Sequence, residues 1–546
     1  MSKPRKKYSE EEKKTKFGDR YDPNHNRKAN HRKIREDRGP DNRKETDRND
    51  WRTYALTEQI ARDVGSFPYS DIPGAGKRLS IDRVSAANPP TTSTTNYLWN
   101  AQSVLKIGYI NAQYANPADG STGLQMAVNQ LYTYIRHANS GAKNYEPADV
   151  MMYVLAMRDI YAEFSECKRA IGVVQFFSLE NRNVPELLIA AMGINYADLI
   201  ANIAQYRGRL NVLAKKINSF GIPKYFKAFD RMAFVTSNVF ADSDSVRGQF
   251  FLYNRLYRYT FSGTTSTQGS TLIASSILGT DTTLTLGQRL DALYAMISAV
   301  ENDTDTLTMS GDILHAFSDA DLYQLSQTEE GYVVVPQFNE DASAQLENAL
   351  AFKFAAGFTY GDSISYGDLN VTQADGLLKW QPTVQASSGG ANLNLRSFLF
   401  NSHKDQPDFK DNLEWSRLIS IAGDVTATGS PALKYTLKGC GLELVLEFIL
   451  FSRNGTTIAK QELYQMTTAG NAQNTAAAVL KVMEYDWHPT VYNFTTTGSG
   501  AATTVTDLSI GADIKKYTWI SSEIMTHVHD AANAAAFYAD GLYNKG

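Results

Sequence analysis

Residues 147–174 read Pro147-Ala148-Asp149-Val150-Met151-Met152-Tyr153-Val154-Leu155-Ala156-Met157-Arg158-Asp159-Ile160-Tyr161-Ala162-Glu163-Phe164-Ser165-Glu166-Cys167-Lys168-Arg169-Ala170-Ile171-Gly172-Val173-Val174. Proline suits the first turn of a helix, where its missing N–H costs nothing and its fixed φ is already helical. Behind it, Val150, Met151, Met152, Val154, Leu155, Met157, Ile160, Tyr161 and Phe164 cover much of the circumference of a helical wheel. A helix that is apolar around much of its girth is buried in a large core or at subunit contacts. The stretch therefore predicts a long buried helix inside a helical body.

Outward from it, 124–138 is amphipathic, with Leu124, Val128, Leu131, Tyr134 and Ile135 on one stripe. A short helix fits 57–64, ending before Gly65 and Pro68. A Pro/Thr/Ser-rich connector fills 89–96. Further helical patterns run over 185–191, 196–218, 286–300 and 312–325. From about 356 to 470 the signal turns to strand, with β-prone runs at 434–437 and 442–451 between Gly, Ser, Thr and Asn clusters. In 442–451, Leu442, Leu444, Leu446, Phe448 and Leu450 alternate with Glu443, Val445, Glu447 and Ile449. Period two puts the leucines on one face and the glutamates on the other. Helical patterning returns at 475–484 and 519–538. These patterns predict a helical base carrying a β-rich projecting module.

The chain has 546 residues, 43% hydrophobic and 21% charged, enough to bury a sizeable core. Its formal net charge of -4 is unevenly spread. Residues 1–50 hold 17 Lys/Arg and 11 Asp/Glu, a net of +6, which leaves −10 on the other 496 residues. More than half of those first 50 residues are charged and few are apolar, so the segment cannot offset its ordering entropy and is expected to be disordered alone. Ser9 with Glu12 fits a capping box, allowing a transient helix over about 9–17. A basic arm on an acidic body is the asymmetry expected when only the tail meets a polyanion. Lys3, Arg5, Lys6, Lys7, Lys13, Lys14, Lys16, Arg20, Arg27, Lys28, Arg32, Lys33, Arg35, Arg38, Arg43, Lys44 and Arg48 are candidate RNA contacts, able to meet phosphates without reading sequence. Tyr8, Phe17 and Tyr21 offer stacking surfaces for unpaired bases. The interspersed acids weaken a single arm, and many copies facing one RNA compensate through multivalency.

The two cysteines, Cys167 and Cys440, lie far apart and read as free thiols in a reducing compartment. The N-terminus has no apolar core of a secretory signal. No apolar run approaches the roughly 20 residues needed to span a bilayer, so no stable membrane insertion is expected. Pro73-Gly74-Ala75-Gly76-Lys77 fails the P-loop template, since Asp71 stands at the first glycine position and Arg78 replaces the magnesium-binding Ser/Thr. His527 and His529 would point apart on a helix and share no metal. No CxxC, HExxH or G-x-S-x-G occurs. Glu443 and Glu447 read as a solvated strand face. Hence no catalytic, cofactor-binding or metal-binding residues are assigned, and the chain is not expected to be an enzyme.

The runs Leu131-Tyr132-Thr133-Tyr134-Ile135-Arg136-His137-Ala138-Asn139-Ser140-Gly141 and Asn144-Tyr145-Glu146, continuing through Met151-Met152-Tyr153 to Met157, resemble the corresponding block of picobirnavirus capsid proteins. So do Met309-Ser310-Gly311-Asp312 to Phe317, the stretch 49–69, and Tyr485-Asp486-Trp487-His488-Pro489. The matches fall in order from about residue 49 to 530. The stretches 262–283 and 385–435 match poorly, as projecting loops would. The resemblance implies a mainly α fold: a helical shell domain with a β-rich (α+β) protruding domain inserted, preceded by the disordered basic N-terminal arm. The expected division is 1–50 arm, 51–355 shell domain with a surface loop near 262–283, 356–470 protruding region, and 471–546 helical return. It also implies homodimers tiling a T=1 icosahedral shell in the virion, assembled in the host cytoplasm around segmented double-stranded viral RNA, with the arm inside. The host receptor is left open. Some family members remove an N-terminal peptide by self-cleavage after an asparagine. Asn49 precedes Asp50 here, and no cleavage residue carries over. The alternative from a different class is a non-assembling RNA-binding protein that uses the arm, which would remain monomeric or dimeric. An enzyme would instead need convergent pocket carboxylates.

Overall fold

The computed structural model describes residues 57–66, 78–81, 97–100, 103–113, 122–139, 141, 145–176, 183–244, 249–264, 269–354, 369–386, 397–402, 404–427, 434–454, 457–463, 465–468, 482, 485–497, 504–511, 514 and 516–538. The chain divides into a unit of residues 1–69 and a unit of residues 70–546. In the first, the expected short helix is Glu58–Gly65. All that follows concerns the second.

The long helix is Pro147–Phe176, and it is buried nearly all round, as its side chains predict. Helices Gly123–Ala138, Asn183–Ala191, Tyr196–Ile217, Lys227–Ser237 and Leu286–Glu301 pack around it. Local chemistry fixes where several of these begin. Asn195 accepts from the Asp198 N–H, and Thr285 forms a capping box with Gln288. Asp303 accepts from the Asp305 and Thr306 N–H groups and starts the helix Thr304–Ala316. The helix expected over 312–325 therefore begins and ends about eight residues earlier. Beyond it the chain makes one 3-10 turn, Asp319–Asp321, and then runs extended, because side-chain amides of the Tyr196–Ile217 helix and its C-cap hold it flat. Asn218 bonds both backbone groups of Leu325 (2.7 and 2.9 Å), and Asn211 bonds both of Thr328 (2.7 and 3.1 Å).

A six-stranded mixed sheet lies beside the long helix, in the order Thr457–Glu462, Glu443–Asn454, Ser103–Asn111, Phe250–Arg255, Phe240–Ala241, Gln337–Phe338. Its central strand, Ser103–Asn111, is wholly buried, antiparallel to Glu443–Asn454 and parallel to Phe250–Arg255. Val104, Ile110, Leu252, Leu444 and Leu446 pack on the side of the long helix. Leu105, Ile107, Tyr109, Phe251, Tyr253 and Val445 pack on the other, against Val235, Phe240 and Leu346. The fold is thus mixed helix and sheet rather than mainly α, because strands also form where none was expected, at Ser103–Asn111, Phe240–Ala241 and Phe250–Arg255. The strand expected over 442–451 pairs with residues 103–111, so one sheet joins the 51–355 and 356–470 stretches.

The expected alternation of 442–451 holds only to Leu446. A register shift between Val445 and Glu447 inserts a bulge. Leu444 and Leu446 face the long helix, whereas Phe448 and Leu450 face the opposite cluster.

Two further differences concern the loop and the C-terminal part. The loop expected near 262–283 contains a hairpin, Tyr257–Ser262 with Thr271–Ser276. The stretch after 471 is not simply helical: strands Val491–Thr497, Thr504–Gly511 and Lys516–Ser521 precede its helix. That helix is Ser522–Phe537, later than the expected 519, because Ser521 caps it by accepting from the Ile524 N–H. The helix expected over 475–484 lies outside the described residues apart from Val482, which is helical and buried.

Candidate functional site, a buried arginine–carboxylate network

Asp159, Glu163 and Glu166 are spaced four and three residues apart, so they share one stripe of the long helix. Three arginines from other elements meet them. Arg255 ends the strand Phe250–Arg255, Arg258 lies in the following strand, and Arg289 stands in the first turn of the Leu286–Glu301 helix. The Arg255 guanidinium donates to Asp159 (3.0 Å), Glu163 (2.7 Å) and Glu166 (3.2 Å), and its backbone N–H also donates to Glu166 at 3.2 Å. Arg289 donates to Glu163 and, at 2.7 Å, to Glu166. Arg258 donates to the Ile277 carbonyl (2.8 Å), with Glu163 at 4.0 Å. Asn111 on the central strand donates to Asp159 at 3.3 Å. Arg169, one turn beyond Glu166, donates through Nη1 to the Val235, Asn238 and Tyr253 carbonyls.

These groups are essentially sealed from solvent. Burial opposes ionisation of every carboxylate, and the arginines decide the outcome. Glu163 is held at about 2 by Arg289, Arg258 and Arg255 against that burial, and Glu166 is held below its ordinary value mainly by Arg255 and Arg289. Asp159 is pushed up, because burial outweighs the pull of Arg255 and Arg158. In this network the carboxylates are locked to guanidinium groups in the interior. The network ties four elements together at one point: the long helix, the sheet, the following hairpin and the Leu286–Glu301 helix. Periodicity alone missed this site. The signal was the four-and-three spacing of acids on a helix otherwise apolar all round, which demands buried cationic partners.

Glu443 and Glu447 do not form a solvated strand face. Glu443 is buried and accepts from Arg231 at 3.0 Å, while Glu447 pairs with Lys106 at 2.6 Å. The strand sits inside the sheet, and each carboxylate has its own cation.

His529 is buried, and its Nε2–H donates to the Ile419 carbonyl at 2.5 Å. Burial, aided by the charge of Arg417, lowers its pKa from 6.5 to about 4 despite that bond. Between those values the unfolded chain takes up a proton that the folded chain refuses. Stability present above pH 6.5 therefore falls by about 3 kcal/mol on the way to pH 4. Thermal unfolding of His529→Gln alongside the unsubstituted protein tests this. The gap between the two curves should change by that amount over pH 6.5–4, and a constant gap would refute it.

The seventeen basic arm residues, Asn49 and Pro73–Lys77 lie outside the described residues. Cys167 and Cys440 are both free and buried, and burial raises both thiol pKa values. Among the described residues no three His, Cys, Asp or Glu side chains converge as a metal site, and no helix is long and apolar enough to cross a membrane.

Comparison with known proteins places this architecture. Residues 55–364 match the sequence model of the picobirnavirus capsid protein family. A capsid protein precursor of human picobirnavirus (strain Human/Thailand/Hy005102/-) is 24% identical over 530 residues, covering 90% of this chain and 91% of the relative. The crystal structure of the picobirnavirus capsid superposes with a TM-score of 0.77 at 30% identity, covering 91% of this chain and 100% of that one.

Proposed function

The chain belongs to the picobirnavirus capsid protein family, and from that premise we propose that it self-assembles through homodimers into a T=1 icosahedral shell around a segmented double-stranded RNA genome. The observation that carries this is the likeness to a solved capsid along the full length of that capsid chain. As a capsid protein it is a component of the virion, and assembly is proposed to take place in the host cytoplasm.

In this reading residues 51–355 and 471–546 build the shell and 356–470 the protruding region, with one adjustment. The strand Glu443–Asn454 stays with the shell, because it pairs with Ser103–Asn111. The arm, residues 1–50, faces inward and meets RNA through its 17 basic side chains. The acidic remainder of the chain would repel RNA, which favours contact by the arm alone.

Electron microscopy of the purified protein, with absorbance at 260 and 280 nm on the same fraction, tests the proposal. Uniform shells with a raised ratio are expected. Deleting residues 1–48 should leave shells that form but carry much less RNA. Absence of particles across salt and pH would sink the shell reading. Unchanged RNA content in the truncated shells would remove the role of the arm.

A further inference from the structure

The strand Lys516–Ser521 pairs on one side with Ser397–Ser402, in full antiparallel register, and among the described residues no strand pairs with its other side. The two strands of this ribbon differ sharply. Phe398, Leu399, Phe400 and Asn401 of the inner strand are buried, and Asn401 is clamped by Asn348 and Glu347. Lys516, Tyr517, Thr518 and Trp519 of the outer strand are exposed. Tyr517 and Trp519 project from one face of the ribbon at 61% and 48% exposure. The Lys516 ammonium pairs with Asp405, three residues before the Asp408 cap of helix Phe409–Trp415. That helix carries two further exposed apolar residues one turn apart, Phe409 (79%) and Leu413 (48%). Ile524 (57%) follows in the first turn after the strand.

An open strand edge flanked by exposed aromatics is a pairing template that proteins normally blunt. This one carries no proline, and its lysine is already neutralised. We propose that its occupant is the same strand of a second copy, paired antiparallel about a two-fold axis through Thr518. This deepens, and rests on, the reading of the chain as a dimer-built shell protein. Antiparallel pairing of a strand with itself is self-complementary, as a two-fold interface requires. With Thr518 opposite Thr518, Tyr517 lies across from Trp519 of the partner subunit, and the pairing repeats on the other side of the axis. Tyr517 and Trp519 of each copy would then cover one another's exposed rings across the paired edge.

Thr518→Cys in the full chain is the test. Across such an axis the two Cα atoms lie about 4.5–5.5 Å apart, within disulfide reach. Cys167 and Cys440 are buried and do not compete. Under mild oxidant most chains should run on non-reducing gels at twice 60.5 kDa. The exposed control Thr308→Cys should not link. The double variant Tyr517→Ser/Trp519→Ser should weaken dimerisation about tenfold or more. Intact shells of the Thr518→Cys variant whose new thiols stay unlinked would overturn the edge pairing and leave the shell reading standing. Equal linking in the Thr518→Cys and Thr308→Cys variants would also overturn it, as random collision. An unsubstituted chain that stays monomeric without particles would overturn both.

Discussion

Replacing Arg255 with methionine is expected to cost about 3–5 kcal/mol, a large share of the 5–15 kcal/mol that separates a folded domain from its unfolded chain. Methionine keeps much of the apolar volume but removes the one group among the described residues that reaches Asp159, Glu163 and Glu166 together. Arg289 would remain in contact with the two glutamates alone, and Asp159 would keep Asn111. Arg255→Lys should fare little better, since one ammonium cannot span three carboxylates as a planar fork does. Soluble yield and denaturant midpoints measure the effect. Adding Asp159→Asn to Arg255→Met removes one stranded charge and should recover at least about 1 kcal/mol. An Arg255→Met protein as stable as the original would mean that the network contributes nothing to the fold.

Met151→Asp should be more damaging still. Met151 is fully buried in the long helix, among apolar side chains of the core. The new carboxyl must either stay charged in an apolar interior or take a proton, at a pKa raised by about 3–5 units, roughly 4–7 kcal/mol. Loss of the methionine's own burial adds about 1.5–3 kcal/mol. Insoluble protein, with no particles by electron microscopy, is expected. Met151→Leu conserves volume and should cost less than about 1.5 kcal/mol. Normal particle yield from Met151→Asp would show that the helix is not the core element described above.

How much of this was legible in the sequence depended on whether a signal was local. The long helix was plain, because its girth of apolar side chains has one physical solution. The charged stripe within it went unused, since its partners Arg255, Arg258 and Arg289 stand about 90 to 130 residues downstream and nothing local marks them as buried. The strand over 442–451 was visible as alternation, but its bulge was not, because it depends on register against residues 103–111. Trp519 was patterned as helix because apolar residues before Ser521 fit either period, and only the cap at Ser521 separates strand from helix. The displaced helix near 304–316 has the same cause: Asp303 is a strong start signal that periodicity alone passes over. The family resemblance came from whole runs of similar sequence, a kind of information that composition and spacing do not carry.

The central strand Ser103–Asn111 has consequences for the order of events during synthesis. Its neighbour Phe250–Arg255 leaves the ribosome well before its other neighbour, Glu443–Asn454, whose nearest paired residue lies 332 positions downstream, Glu443 against Asn111. At about 5–20 residues per second, that side of the strand waits roughly 20–60 s for its partner. Until then an edge bearing Leu105, Ile107 and Tyr109 is open to any passing strand, including those of other nascent chains. Closure of the sheet is therefore a late event with a high loop-closure cost. A chain truncated before residue 443 keeps the long helix and the helices packed around it, but it lacks both the completed sheet and the helix Ser522–Phe537.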